Sequence, residues 1–235
     1  MKLSIVLVLM ICFSQSWASD EDVLTNIVKL NTSATMQVDN DEMTVLLAVE
    51  HQGSNPVMVA QQVNEDMRWA LEQVKHHQAI IHETYSYSTR PIYNEKEYRE
   101  KQQQRKKIIA WHSTQQLSLV SEDIEQLTQL VGQLQNKLTV RHMRFSPSKN
   151  TRLEAENRLI EEALTTLKDK VRIVLRTMDE RHYRILNIDI GNNQSAPIAT
   201  YGQGRAQAMT ADLAPVVSAG KSEVKISISG RVQLY

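Results

Sequence analysis

Met43-Thr44-Val45-Leu46-Leu47-Ala48-Val49-Glu50, closed by Gln52-Gly53-Ser54 and followed by Asn55-Pro56, is the stretch on which the fold turns. Met43, Val45, Leu47 and Val49 alternate on one side, as in a β-strand. Leu46 and Ala48 make the other side apolar too, which predicts a central strand. Asn55 is suited to accept from the unpaired amides of a helix's first turn, and Pro56 stands where a missing N–H is not needed. Val59, Val63, Met67, Ala70, Leu71 and Val74 then recur at helical spacing to about His77. Residues 79–89 (AIIHETYSYST) return as a strand, with Ile81, Tyr85 and Tyr87 on one face and His82, Thr84, Ser86 and Ser88 on the other.

A second strand–helix–strand unit follows. Arg90-Pro91 predicts the end of the preceding strand, and the polar run from Asn94 to Lys107 (NEKEYREKQQQRKK) predicts an exposed hairpin excursion over residues 90–107. Residues 108–120 read as a long strand carrying Ile109, Trp111, Leu117 and Leu119 on one face. Ser121 opens a second helix with the stripe Ile124, Leu127, Val131 and Leu134, in which Gly132 costs about 1 kcal/mol against Ala. Residues 138–145 form the next strand, closed by Ser146-Pro147-Ser148. Two such units in succession match the split βαβ pattern of ferredoxin-like folds, with right-handed crossovers placing both helices on one face.

From about Asn150 to Met178 the sequence predicts a third helix, with Leu153, Ile160, Ala163, Leu164, Leu167, Val171, Val174 and Met178 on one side. Its length, roughly 40–45 Å, exceeds what a small sheet needs, so one end is expected to reach a neighbouring subunit. Residues 183–190 (YRILNIDI) and 223–234 (EVKISISGRVQL) read as strands. Between them, 191–221 is rich in Gly, Ala, Ser, Gln and Pro and reads as a loop of a length uncommon in compact domains, expected to pack on the surface or reach a partner. The predicted fold class is α+β: one antiparallel or mixed, largely antiparallel sheet with split βαβ halves and three helices, the third one long. A flexible leader over 19–33 precedes this domain, which spans 34–235.

The first residues carry an address. Lys2, the apolar run Leu3–Phe13 interrupted only by Ser4, and Ser14-Gln15-Ser16-Trp17-Ala18 follow the order of a cleavable secretory signal. The run is shorter than the roughly 20 residues a bilayer span needs. The expectation is a signal peptide over 1–18, a mature chain from about Ser19, and a periplasmic or secreted location with no membrane span after cleavage. Cys12, the only cysteine, leaves with the signal, so the mature chain has no thiol chemistry or disulfide. Ile11 before Cys12 argues against lipidation, which follows a small residue. The 27 basic and 27 acidic residues supply no net charge to drive nucleic-acid binding.

Pro91-Ile92-Tyr93, the polar insertion, Ala110-Trp111-His112-Ser113-Thr114-Gln115-Gln116-Leu117-Ser118-Leu119, Leu134-Gln135 and Phe145-Ser146-Pro147-Ser148 occur in an order that resembles bacterial SIMPL-domain proteins. The likeness extends from about Thr35 to Leu234. The Gly-rich first strand and the Pro-Asp pair of many members have no counterpart in Thr35–Glu42, so the resemblance does not place the first strand. It implies a secreted or periplasmic protein of unknown biochemical function; some relatives are linked to envelope or oxidative stress responses, and some form ring-like homo-oligomers. It brings no catalytic residues. The expectation is a non-enzymatic protein acting through self-assembly or an envelope partner, without cofactor.

Candidate sites are few. Tyr85, Tyr87, Tyr93, Tyr98 and Trp111 stand out in a chain only 5% aromatic. They suit either a glycan- or peptide-binding platform or cross-strand packing at a hairpin. His76 and His77 are adjacent, so they point about 100° apart on a helix and do not chelate as an i, i+4 pair. His82 reaches them only if the turn folds back, and His112 and His142 lie on different strands; surface or packing roles are expected over metal. Lys101–Lys107 is a basic run diluted by Glu95, Glu97 and Glu100. Glu154, Glu156, Glu161 and Glu162 interleave with Arg and Lys as on a solvent face. Gly202-Gln203-Gly204 lacks phosphate-loop spacing, and no Gly-x-Ser-x-Gly elbow exists. Asn31-Thr32-Ser33 and Asn193-Gln194-Ser195 are sequons without expected meaning in a bacterium.

Overall fold

The computed structural model describes residues 25–94, 107–192 and 218–235. The expected signal peptide, the hairpin tip with Tyr98 and most of the basic run, and residues 193–217 of the expected loop lie outside them. In chain order the elements are β1 (Ile27–Asp39), β2 (Glu42–Gly53), α1 (Pro56–Val74), β3 (Ile81–Tyr93), β4 (Ile108–Ser121), α2 (Ile124–Leu134), β5 (Thr139–Ser146), α3 (Lys149–Thr177), β6 (Tyr183–Asn192) and β7 (Lys221–Leu234).

The α+β class holds, but the single sheet is two antiparallel sheets, ordered β3-β4-β2-β5 and β1-β7-β6. The difference arises from β1. Residues 27–33, assigned by the sequence reading to a leader, are strand. Val28, Leu30, Thr32, Ala34, Met36 and Val38 alternate inward, and β1 pairs with β7 along its whole length. Thr32 and Ala34, a polar and a small residue at inward positions, weaken this period of 2 in the sequence. With β1 as a partner, β7 and β6 build their own sheet instead of extending the first.

In the four-stranded sheet, β4 lies between β2 and β3, and β2 lies between β4 and β5. Each strand–helix–strand unit therefore leaves room for a strand of the other, the interleaving of a split βαβ pair. The helices α1 and α2 share one face, where Met43, Val45, Leu47, Val49, Leu117 and Leu119 are buried with Val63, Met67, Leu127, Leu130, Val131 and Leu134. Asn55 caps α1, its Oδ1 accepting from Val57 N at 2.9 Å and Met58 N at 3.3 Å. The second helix begins later than Ser121: Asp123 is its cap, accepting from Gln126 N at 2.9 Å, while Ser121 Oγ accepts from Asp123 N.

Arg90-Pro91 does not end β3, which continues to Tyr93. The strand is the outer one of its sheet, so an imino nitrogen without a hydrogen leaves no ladder bond unmade on the solvent side; Pro91 sits opposite Trp111. A bulge between Tyr85 and Ser88, with Ser86 at φ +57°, interrupts the alternation of side chains. Ile80, just before the strand, fills the core, and Ile81 is exposed.

The third helix packs on β1 and β7. Ala155, Leu159, Ala163, Leu167 and Val171 form its buried seam, while Leu153 and Met178, expected on that side, are exposed. Its length is matched rather than excessive: 29 residues of helix rise about 43 Å, and the 13 and 14 residues of β1 and β7 span about 45 Å. Thr32 Oγ1 donates to the Ala163 carbonyl at 3.1 Å, and Gly230 lets Leu167 approach the β7 backbone.

The two sheets meet at residues 40–41. Asn40 donates to the Gly220 and Ala219 carbonyls before β7 and accepts from Ser222 Oγ at its start. Asp41 accepts from Ser148 N, Ser148 Oγ and Thr151 Oγ1, tying the β1–β2 corner to the first turn of α3. Burial pushes the Asp41 carboxyl up, but these hydrogen bonds outweigh it and hold its pKa below the ordinary value.

Candidate functional site

The aromatic group is divided between the two faces of the four-stranded sheet. Residues paired across strands share a face. Tyr85 pairs with Gln116 and Tyr93 with Ile108, whereas Trp111 pairs with Pro91 and Gly53. Since Leu117 and Leu119 face α1 and α2, Trp111 lies on that side at the end of the sheet, and Tyr85 and Tyr93 lie on the opposite side. Tyr87 stands in the bulge. Tyr85, Tyr87 and Tyr93 are 40%, 49% and 40% exposed, so they are accessible, with exposed Ile81, Ile108 and Ile109 on the same two strands.

On the helix side, beyond the apolar core, is a cluster not singled out from sequence. His51 Nε2 lies 2.7 Å from Asp66 Oδ2, and Lys137 Nζ lies 2.8 Å from Asp66 Oδ1. The Lys137 ammonium also sits 5.3 Å above the Trp69 ring. Asp66 thus ties the end of β2, the outer edge of α1 and the turn between α2 and β5. Burial raises the Asp66 carboxyl, but hydrogen bonds and charge from Lys137 and His51 outweigh it and leave its pKa lowered. Its signal in the sequence is an acidic residue at an apolar-stripe position, three residues after Val63 and four before Ala70.

A histidine–aspartate pair invites comparison with hydrolytic triads, and Ser113 lies directly opposite His51 in the β2–β4 ladder. The Ser113 hydroxyl is fully buried and engaged elsewhere, 2.9 Å from Thr89 Oγ1 and donating to the Ser88 carbonyl. It closes a strand–strand contact and presents no surface to a substrate.

On the other face, Glu50 pairs with Arg141 and lies 3.8 Å from His112 Nε2. His142 is opposite Leu46 and His112 opposite Gln52. Six residues along β2 separate these positions, about 20 Å, so the two histidines are not brought together. His76 and His77 lie in the turn after α1, and His82 is exposed on β3. Among the described residues, no group of three or more His, Cys, Asp or Glu is arranged to hold a metal. Glu154, Glu161 and Glu162 are exposed along α3. Near the end of α3 an open groove of about 560 Å³ is lined by Arg172, Ile173, Leu175, Arg176 and Arg181; Arg172 is held by Asp169 at 2.6 Å. Among the described residues, no helix is long and apolar enough to cross a membrane.

A family model described as SIMPL, protein of unknown function (DUF541), matches residues 28–232. It begins within β1, so the strand hidden from the sequence reading is part of the family's domain. No curated protein matches the chain.

Proposed function

Because the chain belongs to the SIMPL family, whose biochemical function is unknown, we propose that it is an exported envelope protein, periplasmic or secreted, that acts without catalysis through assembly with itself or an envelope partner. The observation that carries this reading is the distribution of exposed apolar side chains along sheet margins and the long helix: Ile81, Tyr85 and Tyr87 on β3, Ile185 and Ile190 on β6, and Leu153, Ile173 and Met178 on or beside α3. Apolar surface gathered at outer strands is suited to protein contact. Lys2 followed by the short apolar run Leu3–Phe13 supports export. A place in the envelope or oxidative stress response fits such a protein. Light scattering on the exported protein, with its N-terminus sequenced, tests the proposal. A discrete multimer beginning at Ser19 is expected; an uncleaved chain, or a monomer at high concentration with no partner recovered by cross-linking, overturns it.

A second reading, a glycan- or peptide-binding module, is favoured by the exposure of Tyr85, Tyr87 and Tyr93. Under it, Tyr85→Ala with Tyr87→Ala abolishes retention on immobilised cell-wall glycan or an extended peptide and leaves the circular dichroism unchanged. Unaltered retention counts against that reading.

A further inference from the structure

We infer that β6 is the seam between two copies of this chain, joined by antiparallel pairing of β6 with β6 across a two-fold axis. The inference rests on the assembly reading above and names its surface. Among the described residues β6 is the outer strand of its sheet and pairs only with β7. An outer strand with free amides and carbonyls is a template for another strand.

The side chains of β6 say which strand fits. The third helix packs over β1 and β7, and on the same side of the sheet Ile185 and Ile190 remain 42% and 49% exposed. The bulge between Ile185 and Asn187 sets the faces: Ile185 and Ile188, opposite Val232 and Gly230, point to the α3 side. Arg184 and Asp189, opposite Gln233 and Ser229, point to the other side. An antiparallel copy centred between Leu186 and Asn187 places Arg184 against the second copy's Asp189, and Ile185 against the second copy's Ile188, each twice by symmetry. The segment is therefore complementary to itself in charge and in apolar character, as an isologous contact requires. Arg184 now donates to Gln233 Oε1 and Asp189 accepts from Asn187 Nδ2, both at exposed positions that leave further bonds to be made.

Charge reversal tests the seam. Arg184→Asp or Asp189→Arg alone sets like charges opposite one another at two symmetric places. Each is expected to weaken self-association about tenfold or more, with circular dichroism unchanged. The double variant regains the wild-type mass, and an equimolar mixture of the two single variants forms a mixed pair, since each then supplies what the other lacks. A multimer unaffected by either reversal, or single variants that do not complement, overturns the β6 seam and leaves the assembly reading standing. A wild-type chain that is monomeric throughout, including one that holds only a different protein on β6, overturns the seam; the same monomer with no partner of any kind removes the assembly reading too.

Discussion

Replacing Leu167 with alanine is expected to lower the unfolding free energy by about 2–5 kcal/mol. Leu167 is 2% exposed and lies in the seam of α3 with Leu159, Ala163, Ile226 and Ile228. It is also the side chain that a Cβ at Gly230 would meet, at 2.9 Å from Leu167 Cδ2. Helix and strand approach closely here because one member of the pair has no side chain. The converse change follows from the same contact. Gly230→Val overfills the gap and is expected to cost about 1–3 kcal/mol. Combined, the two changes should destabilise by less than their sum, since the valine occupies part of the space the leucine leaves. Urea unfolding of the two single variants and the double variant measures this; strict additivity would show that the contact does not govern the approach of α3. Hydrogen exchange adds a spatial test. Among the described residues the buried apolar clusters under α3 are separate from the one under α1 and α2, so Leu167→Ala should expose amides of β1 and β7 before those of β2 and β4.

The second large effect belongs to Asp66. Its side chain is 17% exposed and holds both His51 and Lys137. Asp66→Ala removes two bonds to a charged group and is expected to cost about 1–3 kcal/mol, discounted on the Lys137 side because that ammonium is 41% exposed. The sign with pH follows from the lowered carboxyl pKa. A depressed folded-state value stabilises fully above the unfolded carboxylate value of about 3.9, and that stability is lost as pH falls through the folded value. Asp66→Asn should therefore flatten the acid limb of a stability–pH curve below the unfolded carboxylate value of about 3.9. An acid limb as steep as that of the wild type would remove Asp66 as a source of pH dependence. Asp41, also lowered, contributes in the same direction, and Glu42 opposes it: burial and the nearby Glu122 and Asp41 raise its pKa, so its contribution is lost as pH rises through the folded value.

Much of the architecture was written locally. The alternation of Met43 to Val49, the Asn55-Pro56 cap, the stripes of α1 and α2 and the seam residues Ala163, Leu167 and Val171 depend on neighbours a few positions away. Those patterns alone specify two strand–helix–strand units, and the sheet order β3-β4-β2-β5 is their interleaving. The motif order likewise pointed to the family that matches residues 28–232.

What sequence did not disclose was decided by pairing. Residues 27–33 are strand with β7 beside them along the whole stretch; a strand makes no hydrogen bonds within itself, so its partner decides whether it forms. Pro91 stays within β3 because β3 is an outer strand. Tyr85 and Trp111, close in type and neighbouring in strand, part to opposite faces because facing depends on register across the ladder: Tyr85 stands opposite Gln116, whereas Trp111 shares the face of Leu117. His51, Asp66 and Lys137 meet although Asp66 and Lys137 are far apart in the chain. Periodicity and capping are properties of a chain's near neighbours, and the sequence determined them. Strand partners, sheet number and clusters drawn from distant segments arise only when several elements compete for the same hydrogen bonds and the same core, and the tertiary structure decided them.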